Sequence, residues 1–390
     1  MRARFGHSGF VPVVVTALTL VALVGCGSGA SSVGGSTQSP TLLIADFYNN
    51  RVVSFDSPFG AGESATTVLG QADFMTSVQA TTASGLAGPL NAVTDAQGDI
   101  WVSDVRNNRV LRYVPPLKNG MTADLVLGQM NFTAAGESTS LSGLSLPDGL
   151  VFDKSGNLWV ADSYNARVLE FSPPFSSGMA ASLALGQPPF TTGVCLATSA
   201  STLCFPTGLT FDTDGDLWIT DNGENRVLEF KPPFATGQSA SIVLGQQDFA
   251  SSIQGAGTSG LGTPFGAAFD KAGNLWVSDS GNWRVLEFKA PFSNGQAASL
   301  VLGYPDFTST VNNNFQSNMS TPRGLAFDDA GNLFVTDNGG SRVMIFNPPF
   351  SNGMNASGVI GQPNLTTVGA TTSPPTASGL ANPIGISLSY

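Results

Sequence analysis

The sequence predicts an all-β fold in which six four-stranded antiparallel sheets close into a ring. The 390-residue chain has 46 glycines and 24 prolines, and only 11% of its residues are charged, which is typical of many short strands joined by tight turns. One segment recurs six times, and the two ends of the repeated region are complementary halves of one copy. An arginine marks each copy, at Arg51, Arg109, Arg167, Arg226, Arg284 and Arg342.

The first half of each copy contains two predicted strands. The opening strand, such as residues 324–327, is short and rich in small residues, as expected near a crowded central axis. A turn of the form Asp-x-x-Gly-Asn follows, in which glycine accepts a positive φ and aspartate caps the turn backbone. The second strand, such as residues 274–278, is apolar on both faces. Such a strand belongs to a sheet that is covered on both sides.

The second half of each copy supplies two more strands. The third begins at the repeat arginine and alternates in polarity, as in residues 284–288. After a proline-phenylalanine corner comes an outer strand, such as residues 241–246, which ends in Gly-Gln in five copies and in Gly303-Tyr304 in the other. Large apolar residues of the second strands are expected to fill the gaps between neighbouring sheets. They are Trp101, Trp159, Trp218, Trp276, Phe334 and Leu43.

The two ends of the repeated region predict how the ring closes. The region begins inside a copy, at residues 42–46, and ends with the missing opening strand, residues 383–388. The last strand is therefore expected to join the first sheet, which leaves no open face. An open array of the same repeats would not need complementary ends. Residues 41–390 are thus predicted to form one six-bladed β-propeller.

Three copies resemble the NHL repeat most clearly, at residues 147–171, 264–288 and 322–346. They read PDGLVFDKSGNLWVADSYNARVLEF, PFGAAFDKAGNLWVSDSGNWRVLEF and PRGLAFDDAGNLFVTDNGGSRVMIF. The resemblance covers nearly all of residues 41–390. It implies a six-bladed β-propeller of the NHL and TolB-like type, in the form of a bacterial NHL-repeat lipoprotein.

The N-terminal residues predict export and lipidation. Arg2 and Arg4 precede an apolar run at residues 11–24, which is shorter than a membrane span. The run ends in Leu-Val-Gly-Cys at Cys26, which resembles the bacterial lipobox, and a Gly/Ser-rich stretch follows. We therefore expect a lipoprotein signal peptide at residues 1–25, lipid on Cys26 and a flexible tether at residues 26–40. An ordinary signal peptide that ends in cysteine is the alternative.

Two cysteines remain in the repeated region, Cys195 and Cys204, with eight residues between them. In an exported chain they are expected to form a disulfide, and two free buried thiols are the alternative.

Charge and histidine content exclude several functions. Without residues 1–25 the chain carries 14 Lys and Arg against 27 Asp and Glu, a balance that repels nucleic acid and anionic lipid. The only histidine, His7, lies in the predicted signal peptide. Its loss excludes Ser-His-Asp catalysis, a histidine general base and histidine-bound zinc. It also excludes a lyase of the NHL-related type whose metal is held by histidine.

Two recurring motifs resemble sites but are interpreted as structure. Asp-x-x-Asn-x-Arg occurs in most copies, as in Asp162, Asn165 and Arg167, so it is expected to cap the hairpin that carries it. Glu224 and Gly340-Ser341 depart from it, and there the hairpin could be released for another role. Residues 212–216, Asp-Thr-Asp-Gly-Asp, resemble the start of a calcium loop. They align with the turn of every other copy, so a turn is favoured.

A ring of residues after each opening proline is expected at the mouth of the central channel. It consists of Leu90, Asp148, Thr207, Phe265, Arg323 and Ile384, with Asn91 as a neighbour. With one carboxylate, this set predicts a small mixed binding surface rather than a metal centre, so no metal ligands and no catalytic residues are assigned. The long loops at residues 74–88, 190–205 and 307–320 are expected at the same face, either for binding or as tolerated length.

These observations favour a lipid-anchored binding, scaffold or sensor module of the bacterial cell envelope, on the exported side of a membrane, periplasmic or at the cell surface. Its expected partner is a protein, peptide or glycan bound through the loop face, with no cofactor, no nucleic acid, no membrane contact beyond the lipid, and a monomeric state. One alternative is a carboxylate-ligated, metal-dependent enzyme of lactonase or lyase type. Another is a purely structural envelope protein.

Overall fold

Each copy of the repeat folds into one four-stranded antiparallel sheet, a blade. The computed structural model describes residues 40–187, 193–309, 315–369 and 374–390, and the strands below are those of the described residues. The compact unit that contains them spans Ser39–Tyr390. Cys26, the signal peptide and the tether at residues 26–39 lie outside the described residues.

Blades 1 to 3 hold the first eleven strands and the last one. Blade 1 consists of β1 (Thr41–Asp46), β2 (Arg51–Asp56), β3 (Thr67–Leu69) and β24 (Pro383–Ser389). Blade 2 consists of β4 (Pro89–Thr94), β5 (Ile100–Asp104), β6 (Arg109–Tyr113) and β7 (Leu125–Leu127). Blade 3 consists of β8 (Pro147–Phe152), β9 (Leu158–Asp162), β10 (Arg167–Phe171) and β11 (Leu183–Leu185).

Blades 4 to 6 repeat the pattern. Blade 4 consists of β12 (Pro206–Phe211), β13 (Leu217–Asp221), β14 (Arg226–Phe230) and β15 (Ile242–Leu244). Blade 5 consists of β16 (Pro264–Phe269), β17 (Leu275–Asp279), β18 (Arg284–Phe288) and β19 (Leu300–Leu302). Blade 6 consists of β20 (Pro322–Phe327), β21 (Leu333–Asp337), β22 (Arg342–Phe346) and β23 (Gly358–Ile360).

Short 3-10 helices join the second and third strands of blades 1 to 5. They span Phe47–Asn49, Val105–Asn107, Ser163–Asn165, Asn222–Glu224 and Ser280–Asn282. The strand pattern agrees with the sequence prediction, although the outer strands are shorter than expected. Residues 242–244 pair, whereas 241–246 were predicted, because Gly245 turns the chain away with a φ of +87°.

The ring closes as predicted, through the two ends of the repeated region. Strand β24 pairs antiparallel with β1, which makes it the innermost strand of blade 1. Ile386 lies opposite Ile44, and Leu388 lies opposite Leu42. The edge of β1 is therefore covered by the last strand of the chain, and the six-bladed β-propeller is all-β and closed.

The core consists of apolar layers between neighbouring blades. Trp218 of blade 4 is fully buried and packs edge-on against Phe292 of blade 5, with ring centroids 4.7 Å apart. Its indole nitrogen donates to Asp212 in the turn of its own blade at 3.1 Å. Trp101, Trp159 and Trp276 repeat this arrangement, and Phe334 and Leu43 pack in the equivalent layers. The predicted aromatic filling of the gaps is confirmed.

The recurring aspartate and arginine form a buried ion pair in every blade. In blade 1, Arg51 Nε donates to Asp46 at 2.8 Å, and its other nitrogens donate to carbonyls of Phe74, Thr376 and Gly379. Arg51 thus ties its hairpin to two surrounding loops. The pair persists in blades 4 and 6, at Asp221–Arg226 and Asp337–Arg342, so Glu224 and Gly340-Ser341 do not release the hairpin.

Candidate functional site

One end of the ring, here called the loop face, gathers the segments that vary between blades. The turns between second and third strands lie there, together with the loops that join each outer strand to the next inner strand. The first residues of the inner strands reach the same end, since Pro147 pairs with Asp162 at the start of the turn.

Exposed apolar side chains are concentrated at the loop face. Of the large apolar residues that are exposed among those described, all but Val114 and Tyr390 lie in its turns and loops. The set at the loop face comprises Tyr48, Met75, Val78, Met130, Tyr164, Val194, Phe205, Ile253, Trp283, Phe315 and Val368. Exposed apolar surface on one side of a soluble domain marks a surface that meets a partner.

The turns divide the loop face into two halves. Their middle positions carry Tyr48, Arg106 and Tyr164 in blades 1 to 3, and glycine in blades 4 to 6. Arg106 stacks over the ring of Phe47 at 4.7 Å, and Tyr164 lies 5.9 Å from the ring of Phe205. In the glycine half, the first turn residue instead donates to the next blade, as Asn222 does to the Pro264 carbonyl at 2.9 Å. The turns of blades 1 to 3 therefore carry large side chains, and those of blades 4 to 6 do not.

The predicted ring of residues at the channel mouth lies at the inner end of the loop face. Asp148, Thr207, Phe265 and Ile384 are buried, whereas Leu90, Asn91 and Arg323 are partly exposed. The Thr207 hydroxyl lies 2.8 Å from the Phe265 carbonyl of the next blade, so it joins blades. The Arg323 guanidinium stacks over the Phe265 ring at 4.3 Å. The binding role of these seven residues stays a prediction.

Asp148 is the more deeply buried of the two charged residues in this ring. Its burial raises the pKa of the carboxyl group to about 7 from 3.8, and the positive charge of Arg323 opposes that rise. Burial in turn lowers the pKa of Arg323. The Oδ1 atom of Asn91 and the Nε atom of Arg323 have no hydrogen-bond partner among the described residues. The ring therefore mixes apolar and polar residues and contains one carboxylate.

Asn91 explains why the seam between blades 2 and 3 differs from the others. Elsewhere this position is Gly149, Gly208, Gly266, Gly324 or Gly385, and a Cβ there would collide with a carbonyl of the next blade. At Gly208 that Cβ would lie 2.6 Å from the Phe265 oxygen. Because Asn91 carries a Cβ, β4 cannot approach β8 as closely as the other inner strands approach each other. Asp148 lies at this seam.

The predicted disulfide between Cys195 and Cys204 is present. Cys204 is buried, and its N–H donates to the carboxylate of Asp221 at 2.7 Å. The disulfide therefore attaches one loop of the loop face to the ion-paired hairpin of blade 4. Among the described residues no helix has the length and apolarity needed to cross a membrane.

Residues 212–216 form the predicted turn at the opposite end of the ring. Asp212 accepts from the N–H groups of Asp214 and Asp216 at 2.9 Å each. Carboxylate oxygens of Asp212, Asp216 and Glu229 lie within 4.8 Å of one another. Lys231 lies among them, with its Nζ 2.5 Å from Asp216 and 3.2 Å from Glu229. The ammonium group balances the negative charge of these carboxylates, so we assign no metal ion to this cluster.

Comparison with known proteins agrees with the geometry of the ring. The NHL repeat family model matches residues 144–171 and 203–230, in blades 3 and 4. The chain is an NHL-repeat β-propeller. No curated protein sequence matches this NHL-repeat propeller.

Solved structures are similar to this chain at low sequence identity, and one of them has a TM-score above 0.5. A protein of unknown function from Bacteroides caccae superposes with a TM-score of 0.52 at 10% identity, over 90% of this chain and 98% of that one. Virginiamycin B lyase from Staphylococcus aureus gives 0.46 at 12% identity, over 85% and 93% of the two chains. A streptogramin B lyase gives 0.41 at 12%, over 70% and 72%. The likeness is one of fold alone.

Proposed function

We propose that this NHL-repeat propeller is a lipid-anchored binding or scaffold module of the bacterial cell envelope, and that its loop face meets a protein, peptide or glycan. The observation that carries the proposal is the one-sided distribution of exposed apolar residues. The loop face holds Tyr48, Tyr164 and Trp283, which are 58%, 51% and 50% exposed, whereas the opposite end holds only Val114 and Tyr390 of the exposed set in the described residues. Aromatic side chains of this kind are enriched at binding surfaces.

Export and anchoring are supported by separate features. The disulfide Cys195–Cys204 is of a kind that persists in oxidising compartments outside the cytosol. The apolar run that ends at Cys26 resembles a lipoprotein signal. Acyl chains on Cys26 would hold the protein at a membrane, since each buried methylene adds about 0.8 kcal/mol to attachment.

The metal-dependent enzyme alternative has little support from the loop face. A hard divalent cation takes six or more oxygen ligands, whereas the axial ring holds one carboxylate, that of Asp148, and the positive charge of Arg323. The acidic cluster at the opposite end already contains Lys231. We therefore do not propose a metal-dependent enzyme activity for this chain.

The anchor is tested with the Cys26→Ala variant of the full chain. We expect wild-type protein in the membrane fraction, labelled by a fatty acid, and the variant unlabelled and released. A Cys195→Ser/Cys204→Ser variant that still has Cys26 is the control and should stay membrane-bound. Recovery of Cys26→Ala in the membrane fraction would contradict the anchor.

The binding face is tested by retention of purified protein on envelope material from the producing cells, with every protein in the unlipidated Cys26→Ala form so that the lipid anchor does not contribute. We expect the double variant Tyr48→Ser/Tyr164→Ser to lose retention, because it removes exposed aromatic surface without touching the core. Val114→Ser, which removes an apolar side chain from the opposite end, is the matched control and should be retained like wild type. Equal retention of all three proteins, or of none, would refute the loop face as the binding surface.

A further inference from the structure

Blade 5 departs from the other blades at two positions that lie together at the loop face. In blades 1, 2 and 4 the residue before the repeat arginine is an asparagine that links two loops. Asn225, for example, donates from Nδ2 to the Ser252 carbonyl at 3.0 Å and accepts the Thr263 N–H at 2.8 Å. Blade 5 has Trp283 at this position, so both links are lost there.

The second departure is at the end of the outer strand. Five blades have a buried glutamine after the glycine, and its amide joins the hairpin to the following loop. Gln246 Nε2 donates to the carbonyls of Asn225 and Ile253 at 2.9 Å each. Blade 5 has Tyr304, which has no amide group and no hydrogen bond from its hydroxyl to a described residue. Two polar side chains that link loops are thus replaced in blade 5 by two aromatic side chains.

A cavity of about 330 Å³ opens where these links are missing. The aromatic residues Trp283, Tyr304 and Phe307 line it. Two further loop-face cavities of similar size, along blades 1 and 6, have no aromatic lining residue. The loop at Phe307 also lies farther out: Arg284 Nη1 is 3.3 Å from the Phe307 carbonyl, whereas Arg226 is 2.7 Å from the equivalent Phe249 carbonyl.

Trp283 is held in an unusual conformation at the mouth of this cavity. Its φ is +55°, in the left-handed region that asparagine tolerates and bulky residues avoid. Half of the side chain is nevertheless exposed. The equivalent residue has a positive φ in every blade, so the departure of blade 5 is the bulky tryptophan itself. Folding alone would favour asparagine or a small residue at this position, and local strain of this kind clusters at functional sites.

The chemistry of the lining selects a neutral ligand. No carboxylate lines the cavity, and its one cation, Arg284, is buried and paired with Asp279 at 2.7 Å. The polar groups are the Oδ1 atom of Asn282, whose Nδ2 already donates to Gly255 and Asp279, and the hydroxyls of Thr308 and Ser309. Both hydroxyls donate to Asp306 and keep lone pairs free to accept. A flat aromatic wall beside a few neutral polar groups suits a ring with one apolar C–H face and hydroxyls at its edge.

We propose that the blade 5 cavity, lined by Trp283, Tyr304 and Phe307, is a binding site for a neutral saccharide ring that stacks on Trp283. This inference rests on the proposed function and names one ligand class for the loop face. Cavities of this size, mostly apolar with a few polar groups, are typical small-molecule sites.

The fluorescence of the protein reports on this site directly. Of the five tryptophans, Trp101, Trp159, Trp218 and Trp276 are fully buried, and Trp283 is half exposed. A ligand stacked on Trp283 should therefore shift the emission to shorter wavelength and protect that residue from acrylamide quenching. Binding elsewhere would leave both signals unchanged.

The experiment titrates the full chain with three neutral disaccharides, cellobiose, maltose and N,N′-diacetylchitobiose, by fluorescence and calorimetry. Digalacturonic acid is the charged control, and N-acetyl-tyrosinamide represents an aromatic peptide side chain. We expect at least one neutral disaccharide to bind with a blue shift, and at least tenfold more tightly than either comparison probe. Trp283→Asn, which introduces the residue of blades 1, 2 and 4, and Tyr304→Gln, which introduces the residue of the other five blades, should each weaken binding at least tenfold. Val114→Ser, at the opposite end of the ring, should not.

Several results would overturn the site. The first is the absence of a response to every neutral disaccharide. The second is preferential binding of N-acetyl-tyrosinamide. The third is saccharide binding that Trp283→Asn leaves unchanged. Unfolding of the two variants is checked by urea denaturation, where both should be at least as stable as wild type. The wider proposal fails separately, because retention on envelope material depends on Tyr48 and Tyr164 rather than on Trp283.

Discussion

Replacing Arg51 by methionine should remove the side chain that joins the first segment of the propeller to the last one in blade 1. Its guanidinium donates to Asp46 at 2.8 Å and to the Phe74 carbonyl at 2.8 Å. It also donates to the carbonyls of Thr376 and Gly379, in the segment that leads into β24, at 2.9 and 2.8 Å. Arg51 and Asp46 are both fully buried.

The loss has two parts. Leaving the Asp46 carboxylate buried without its cation costs about 3–5 kcal/mol, and three carbonyls that lose a donor cost about 1 kcal/mol each where water cannot replace it. Since the Phe74 and Thr376 hydrogen bonds are only part-buried and the Gly379 bond is buried, one carbonyl bears this cost, and we expect Arg51→Met to lower the free energy of unfolding by about 4–6 kcal/mol. That is a large fraction of the 5–15 kcal/mol that is typical of folded proteins.

Urea denaturation of purified wild type and variant measures this difference. Lys118→Met, which removes an exposed cation, is the control and should change stability by at most about 0.5 kcal/mol. The double variant Asp46→Asn/Arg51→Met should recover about 2 kcal/mol, because it no longer buries a lone charge. A loss below about 1 kcal/mol for Arg51→Met would refute the reasoning, since the ion pair would then not hold the loops.

Three further predictions concern the axis, the disulfide and the layers between blades. The pKa of the Asp148 carboxyl is about 7 in the folded state against 3.8 ordinarily, so its contribution to stability is complete below pH 4 and is lost as the pH rises through 7. Urea denaturation from pH 4 to 8 should show that Asp148→Asn removes this pH dependence, which amounts to at most about 4 kcal/mol. Parallel stability curves for wild type and variant would contradict the prediction. Cys195→Ser/Cys204→Ser opens a short loop and should cost at most about 3 kcal/mol in urea denaturation, with no loss meaning that the loop is ordered without the bond. By calorimetry, Trp218→Ala should lower the free energy of unfolding by about 4 kcal/mol, because Trp218 is buried between blades. Tyr164→Ala should lower it by at most about 0.5 kcal/mol, because Tyr164 is exposed. Similar losses in the two variants would contradict that placement.

Much of the fold was predictable from sequence because six copies of the repeat encode the same four-stranded structure. The turn aspartates, the buried tryptophans and the repeat arginines occur at fixed spacing, so each copy supports the interpretation of the others. Ring closure was predictable for a different reason: residues 383–388 supply the strand that the first copy lacks. The strand ends were less predictable, since they depend on where Gly245 and its equivalents turn the chain.

The loop face was predictable in position but not in detail. The opening prolines placed Asp148 and Arg323 on one ring, yet their burial depends on how closely the inner strands approach, which Asn91 alters at a single seam. The exception at Tyr304 was visible in the sequence. Its meaning was not, because the hydrogen bonds made by Gln246 and Asn225 in other blades show only in three dimensions.

Closure of the ring is tested most directly by a cross-strand disulfide between its first and last strands. Thr41 of β1 lies opposite Ser389 of β24, and both are partly exposed. Directly opposed residues of antiparallel strands lie within the Cα separation that a disulfide requires. On oxidation, Thr41→Cys/Ser389→Cys should form an intramolecular bond that peptide mapping by mass spectrometry detects in most molecules. Free thiols at both positions, or bonds only between separate molecules, would contradict a closed six-bladed ring.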